Sequence, residues 1–220
     1  MSNTITEQLT QAGQKIEHES FRIVDEEAGA HAYSVDQWPI VRRMIHATAD
    51  FEFNGLTHFH PQATEAGVQA ILNGKTIVAD VEMICVGVSE PRLKHFGVRA
   101  RQFINDEDVI ADAKKSNTTR AIQAIRKANQ QGLLNGSIVA IGNAPTALIE
   151  LMRLIRDENV RPALIIGMPV GFVSAAESKE LASRQMEIPW MITEGRKGGS
   201  TLVVAALHAL LAIAEARQKA

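Results

Sequence analysis

The chain has 220 residues, 45% of them hydrophobic and 22% charged, with a formal net charge of −2. That is the size and balance of one soluble α/β domain with a sizeable core, and it offers no domain-wide basic field for nucleic acid. A single cysteine, Cys85, excludes an internal disulfide and a thiolate-rich zinc site, and fits a reducing compartment.

The first residues lack a basic stretch followed by an apolar run, so no secretory signal is expected. Residues 4–18 read as a short N-terminal helical extension that Ser20 caps or terminates. A connector over 29–33 leads to Ser34 or Asp36, either of which suits a helix N-cap. The next helix presents Trp38, Val41, Ile45 and Thr48 to the core. Arg42, Arg43 and His46 flank that stripe, and their spacings of three and four make them neighbours on one helical surface. An imidazole beside guanidinium groups suits proton transfer at an anion site, and equally a solvated helix face.

His58-Phe59-His60-Pro61 reads as a loop entering another helix, with Pro61 in its first turn and Gly74 at its C′ position. The two histidines lack a nearby third metal ligand. A strand over 75–79, a helix over 81–88 and a strand over 98–104 follow. Asp80 and Glu82 are an acid–base pair or, more simply, a strand end and a helix N-terminal charge. Cys85 is expected buried and inert. Residues 106–131 are helical with a break at Ser116-Asn117-Thr118. Thr118 or Thr119 restarts the helix and sets Arg120 near its positive end.

From residue 137 onward, strand, glycine-bearing loop and helix recur three times. The strands are 137–141, 163–166 and 189–192; the helices are 146–156, 175–184 and 201–216. This predicts an α/β single domain, 1–220, with a mostly parallel sheet flanked by helices on both faces. The loops Gly142-Asn143-Ala144-Pro145, Gly167-Met168-Pro169-Val170-Gly171 and Glu194 to Ser200 then share the carboxyl edge, where such sheets bind ligands. Glycine backbones, helix N-termini and the charges of Arg196 and Lys197 suit an anion there. No loop matches G-x-G-x-x-G or G-x-x-x-x-G-K-[ST], which argues against a dinucleotide or ATP site. His208 reads as a satisfied core histidine. The tract 201–214 around it is short for a bilayer span, so a soluble, cytoplasmic protein without membrane contact is expected.

Several of these segments carry a resemblance. They are Ser20-Phe21, Arg43-Met44-Ile45-His46-Ala47-Thr48-Ala49-Asp50-Phe51 and Gly142-Asn143-Ala144-Pro145-Thr146-Ala147-Leu148. Gly167-Met168-Pro169-Val170-Gly171-Phe172-Val173, Ala175-Ala176-Glu177-Ser178-Lys179 and Gly195-Arg196-Lys197-Gly198-Gly199-Ser200 complete the set. In this order they resemble the precorrin-8X methylmutase family over nearly the whole chain. The resemblance implies an isomerase of cobalamin (vitamin B12) biosynthesis. Such an enzyme moves a methyl group between adjacent ring C carbons of a corrinoid precursor, giving cobyrinate in the cobalt-first route or hydrogenobyrinate in the metal-free one. It implies an intramolecular shift with no cofactor and no protein-bound metal, cobalt belonging to the substrate. It also implies a homodimer with active sites near the subunit interface, and hand-over of product to the next enzyme. The family's catalytic histidine falls on His46, and its substrate-binding serine and arginine fall on Ser20 and Arg43. Arg120, Asn143, Arg196 and Lys197 join them as candidates for the carboxylate rim of the macrocycle. The stretch from His46 to Phe51 and the Gly195 loop look closer to the cobalt-first enzymes. Two other readings stay open: a non-catalytic tetrapyrrole carrier, and an α/β enzyme acting on another polycarboxylate.

Overall fold

The computed structural model describes residues 4, 5 and 8–219. In chain order its elements begin with α1 (Gln11–Glu27), α2 (Trp38–Thr48), α3 (Phe53–Leu56), β1 (Thr57–Phe59), α4 (Ala63–Leu72) and β2 (Ile77–Ala79). Next come α5 (Glu82–Gly87), α6 (Glu90–His95), β3 (Ala100–Arg101), α7 (Glu107–Lys115) and α8 (Arg120–Gln130). The last third holds β4 (Ile138–Ile141), α9 (Pro145–Asp157), β5 (Leu164–Gly167), α10 (Ala175–Arg184), β6 (Trp190–Thr193) and α11 (Ser200–Lys219).

The strands form one sheet in the order β1-β6-β5-β4-β2-β3, parallel throughout except for β1, which pairs antiparallel with β6. Side chains alternate across a strand, and the central strands are buried on both faces, so each feeds two cores. On β4, Ile138 and Ala140 join the cluster under α2, α4, α5 and α11, whereas Val139 and Ile141 join the cluster under α8 and α9. The predicted single mostly parallel sheet with helices on both faces is the observed fold.

Chain order reverses between β2 and β4. From β2 the sheet extends one way to β3, and from β4 the other way to β5 and β6. Ligands of open α/β sheets bind at such a switch point, beyond the carboxyl ends of the strands.

Several local expectations are corrected. The first helix is not confined to 4–18: α1 runs to Glu27, and Thr6 and Glu7 of that range lie outside the described residues. Ser20 neither caps nor ends α1, because its hydroxyl donates back to the Ile16 carbonyl at 2.8 Å and so leaves the helix intact. The N-cap of α2 is Gln37; Ser34 forms a turn just ahead of it, its Oγ accepting from the Gln37 N–H at 3.2 Å. In α2 the buried stripe is Ile40, Val41, Met44 and Ile45, with Thr48 exposed. His58 and Phe59 belong to a strand, not a loop, and Pro61 precedes the Gln62 cap of α4. The strand expected over 98–104 shrinks to Ala100–Arg101 at the sheet edge. Gly74 (φ +63°) does close α4, and Thr119 does restart the helix at α8, its Oγ1 accepting from the Ile122 N–H at 3.2 Å.

The apolar C-terminal tract is longer than it reads. α11 has 20 residues and enough hydropathy to cross a bilayer, yet 61% of its most apolar window is buried, against α2, α4 and α5. Burial in the first core accounts for its composition.

Candidate active site

α1 and α2 pack side by side and bring the Phe21 ring edge-on to the His46 imidazole, 5.1 Å between centroids. The Phe21 ring centroid lies 4.5 Å from the Arg42 guanidinium and 5.1 Å from that of Arg43. Phe21 is therefore a platform for the whole basic cluster. The arginines are not free. Arg42 pairs with Asp25 at 2.8 Å, and Arg43 pairs with the buried Glu17 at 3.0 Å. His46 itself is exposed in the last turn of α2. It lines a pocket of about 280 Å³ together with Gln8, Glu17, Arg43, Arg92, Thr201 and His208. Thr201 belongs to the first turn of α11, so the pocket opens at the carboxyl end of the sheet.

The three glycine loops meet at that edge, chiefly to hold one another. A Cβ on Gly142 would sit 2.7 Å from Ser200 Cα, and a Cβ on Gly198 would sit 2.3 Å from the Met168 carbonyl oxygen. The absent side chains let backbone pack on backbone. The Gly199 N–H donates to the Met168 carbonyl at 2.8 Å, and the Gly171 N–H to the Arg196 carbonyl at 3.2 Å. After β4, the donors expected to cradle a ligand anion are already taken. The Asp80 carboxylate, 1% exposed, accepts from the N–H groups of Gly142 (3.0 Å), Asn143 (2.9 Å) and Ala144 (2.7 Å). Burial pushes the Asp80 carboxyl above the usual carboxylate range, and the three backbone donors pull the other way. Asp80 is thus a structural plug at the switch point, and the acid–base pairing with Glu82 does not form: Glu82 is exposed and accepts from the Asn105 amide at 3.1 Å.

What the loops leave outward is apolar surface with isolated cations. Phe172 (85% exposed), Val173 (82%) and Val170 follow β5, and Met83 and Val86 stand exposed on α5. The Arg196 guanidinium lies 5.5 Å from the Phe172 ring and, among the described residues, has no carboxylate partner. Arg120 likewise has none; it opens α8, which touches the start of α9 through Thr119 Oγ1 and Thr146 Oγ1 at 3.0 Å. Asn143, in the loop after β4, is exposed. Lys197 departs from expectation. Its amine is committed to Asp50, just past the end of α2, and to Glu52 at 2.8 Å. It ties the Gly195 loop to the end of the helix that carries His46 and leaves no free charge for a rim.

The structure thus gathers Ser20's helix, Arg43 and His46 on one side of the sheet. It sets Arg196 and Asn143 along the carboxyl edge, and Arg120 at the start of a helix on the opposite face. His208 is half-buried and does have partners, as expected, but it faces the His46 pocket and not the core. Cys85 is half-buried, its thiol pushed up to about 11, first by burial and then by the charges of Glu82 and Asp80, which leaves it a poor nucleophile. His58 pairs with Glu194 at 3.0 Å, and the Nδ1 of buried His60 accepts from the Gln62 N–H at 3.2 Å. Among the described residues no cluster of His, Cys, Asp and Glu suits a metal ion.

Lys179 is a structural participant that periodicity and spacing pass over. It lies on α10, 1% exposed, and its amine donates to the Lys197 carbonyl at 2.7 Å beside Thr193 Oγ1 at 3.4 Å. No carboxylate pairs with it among the described residues. Burial lowers its amine to about 8. The unfolded chain therefore holds more protons between pH 8 and 10.5, and stability rises with pH across that window. Wild type is expected to gain roughly 3 kcal/mol over Lys179→Met across this range, read by denaturant melts at each pH. A flat difference would show that the amine stays charged in the fold.

The sequence and the fold are similar to those of known proteins. The CbiC family model, precorrin-8X methylmutase, matches residues 15–213. A cobalt-precorrin-8 methylmutase of Leptospira interrogans is 54% identical over 96% of this chain and 98% of its own. One from Priestia megaterium is 49% identical over 94% and 91%. A precorrin-8X methylmutase of Pseudomonas aeruginosa is 39% identical over 90% and 94%. The solved precorrin-8X methylmutase of Thermus thermophilus superposes with a TM-score of 0.85 at 51% identity, covering 90% of this chain and 96% of that one. With the family model running from α1 to near the end of α11, the chain belongs to the precorrin-8X methylmutase family.

Proposed function

We propose that the protein is a cytoplasmic isomerase of cobalamin biosynthesis that moves a methyl group between adjacent ring C carbons of cobalt-precorrin-8, giving cobyrinate. The observation that carries this reading is the placement of His46 in a pocket beside an apolar, cation-dotted sheet edge. A flat macrocycle with a carboxylate rim needs an apolar floor, separated cations and one proton donor. Val170, Phe172, Val173, Met83 and Val86 supply the floor, and Arg196 and Arg120 supply charges that no carboxylate pairs among the described residues. Arg43 and Ser20 complete the contacts beside His46. His46 donates a proton or hydrogen bond to the conjugated ring near rings C and D. That withdraws electron density and eases migration of the methyl group, which leaves one ring carbon and bonds to its neighbour with no second substrate. Any cobalt is cargo of the corrinoid.

Relatives named for the cobalt form at 54% and 49% identity favour that substrate, while the Thermus thermophilus protein named for precorrin-8X stands between them at 51%. The working unit is a homodimer: Ile16 and Ile23 stand exposed on α1 beside the pocket, an apolar pair for a second subunit to cover. Product passes from this site to the next enzyme of the route. The test is to incubate the pure protein with precorrin-8X and with its cobalt form and follow the visible spectrum. The shift extends conjugation, so turnover changes the colour, faster for the cobalt form. A tight complex without spectral conversion would identify a carrier instead.

A further inference from the structure

Arg92 carries no motif, yet α6 delivers its guanidinium into the pocket that holds His46. Its NH1 donates to Nδ1 of His208 on α11, at 2.5 Å. The other ring nitrogen of His208 lies 3.2 Å from the Gly87 carbonyl oxygen. A carbonyl only accepts, so the imidazole proton sits on Nε2 and the Nδ1 lone pair faces Arg92. Burial, first, and the charges of Arg92 and Arg43 hold His208 below the usual imidazole range, in keeping with that neutral form.

This arrangement differs from the other arginines around it. Arg42 pairs with Asp25, Arg43 with Glu17, and Arg126 and Arg153 share Glu150. Among the described residues no carboxylate pairs with Arg92. Glu17 and Glu215 act on it only through space, one being paired to Arg43 and the other to Lys219. A neutral acceptor aims the guanidinium without cancelling its charge. A half-buried cation next to another cation is costly to keep unpaired, and an incoming anion relieves that cost.

We propose that Arg92 is a substrate-binding residue that takes one peripheral carboxylate of the corrinoid in the His46 pocket, and that His208 is the positioning residue that holds it there. The assignment rests on the corrinoid reading above.

The test is spectral titration with cobyrinate and with its fully amidated counterpart. Arg92→Gln is expected to raise Kd for the polycarboxylate 10- to 100-fold and to leave Kd for the amidated corrinoid within about twofold. His208→Leu weakens polycarboxylate binding in the same selective way, and His208→Asn, whose amide oxygen can accept from Arg92, restores it. Equal binding of cobyrinate by Arg92→Gln and wild type overturns the assignment, as does equal weakening toward both corrinoids. If Arg92→Gln does not fold, Arg92→Lys decides: several-fold weakening toward the polycarboxylate alone supports the assignment, and wild-type affinity overturns it. Failure of wild type to bind either corrinoid overturns the corrinoid reading itself, and this assignment with it.

Discussion

His46→Ala is expected to lower turnover roughly 10²- to 10⁴-fold, the range for removing a positioned proton donor, with little change in melting temperature. The two halves of that expectation have separate causes. His46 is exposed in the last turn of α2, and its side chain is absent from the buried stripe of Ile40, Val41, Met44 and Ile45. Its ring contact among the described residues, edge-on to Phe21, is peripheral, and surface substitutions of that kind shift stability by about 0.5 kcal/mol or less. Arg42 and Arg43 keep Asp25 and Glu17 when the imidazole is gone, so the cluster does not collapse. His46→Asn separates the chemical roles. An amide donates a hydrogen bond but no proton at working pH, so a loss as deep as that of alanine marks proton transfer, and partial activity marks hydrogen bonding alone. Single-turnover spectra with the corrinoid substrate measure both. Near-normal turnover in either variant removes His46 from the chemistry.

How much of this was legible depends on whether the determinants were local. The three strand–loop–helix units after residue 137 were readable because β-branched runs such as Ile138-Val139-Ala140-Ile141 end in glycine and reappear as β4, β5 and β6. β1 was not, since Thr57-His58-Phe59 is strand only because β6, some 130 residues later, offers it an edge. Ser20 was misread because a helix serine can turn its hydroxyl back on the Ile16 carbonyl, which composition does not reveal. In the site, the residue types were visible and their pairings were not. Lys197 looks like a free cation until Asp50 and Glu52 close on it. The carboxylate that satisfies the Gly142 loop comes from Asp80, and the acceptor that aims Arg92 comes from His208, 116 positions away. Charge counted along the chain therefore overstated what the sheet edge has left for a ligand.

Asp80→Ala is expected to cost about 3–5 kcal/mol, because it strands the buried N–H donors of Gly142 and Ala144 and the part-buried one of Asn143, at about 1–3 kcal/mol each with some relaxation. The two buried donors cannot turn to solvent. Gly142 and Ala144 are buried, and Gly142 is pinned against the backbone of Ser200, where even a methyl group would clash. The carboxylate also faces the N-terminus of α9, where negative charge is favoured. Asp80→Asn keeps the shape and one accepting oxygen but turns an amide N–H₂ toward a donor, so a loss of about 2–3 kcal/mol is expected. For a chain of this size the alanine variant should melt roughly 6–20 °C below wild type. Because the Gly142 loop abuts the start of α11, and Thr201 there lines the His46 pocket, turnover should fall along with stability. That joint loss distinguishes Asp80 from His46, whose removal spares the fold. A wild-type melting temperature for Asp80→Ala would mean that the three N–H groups find another acceptor, and that the switch point is open to an anion after all.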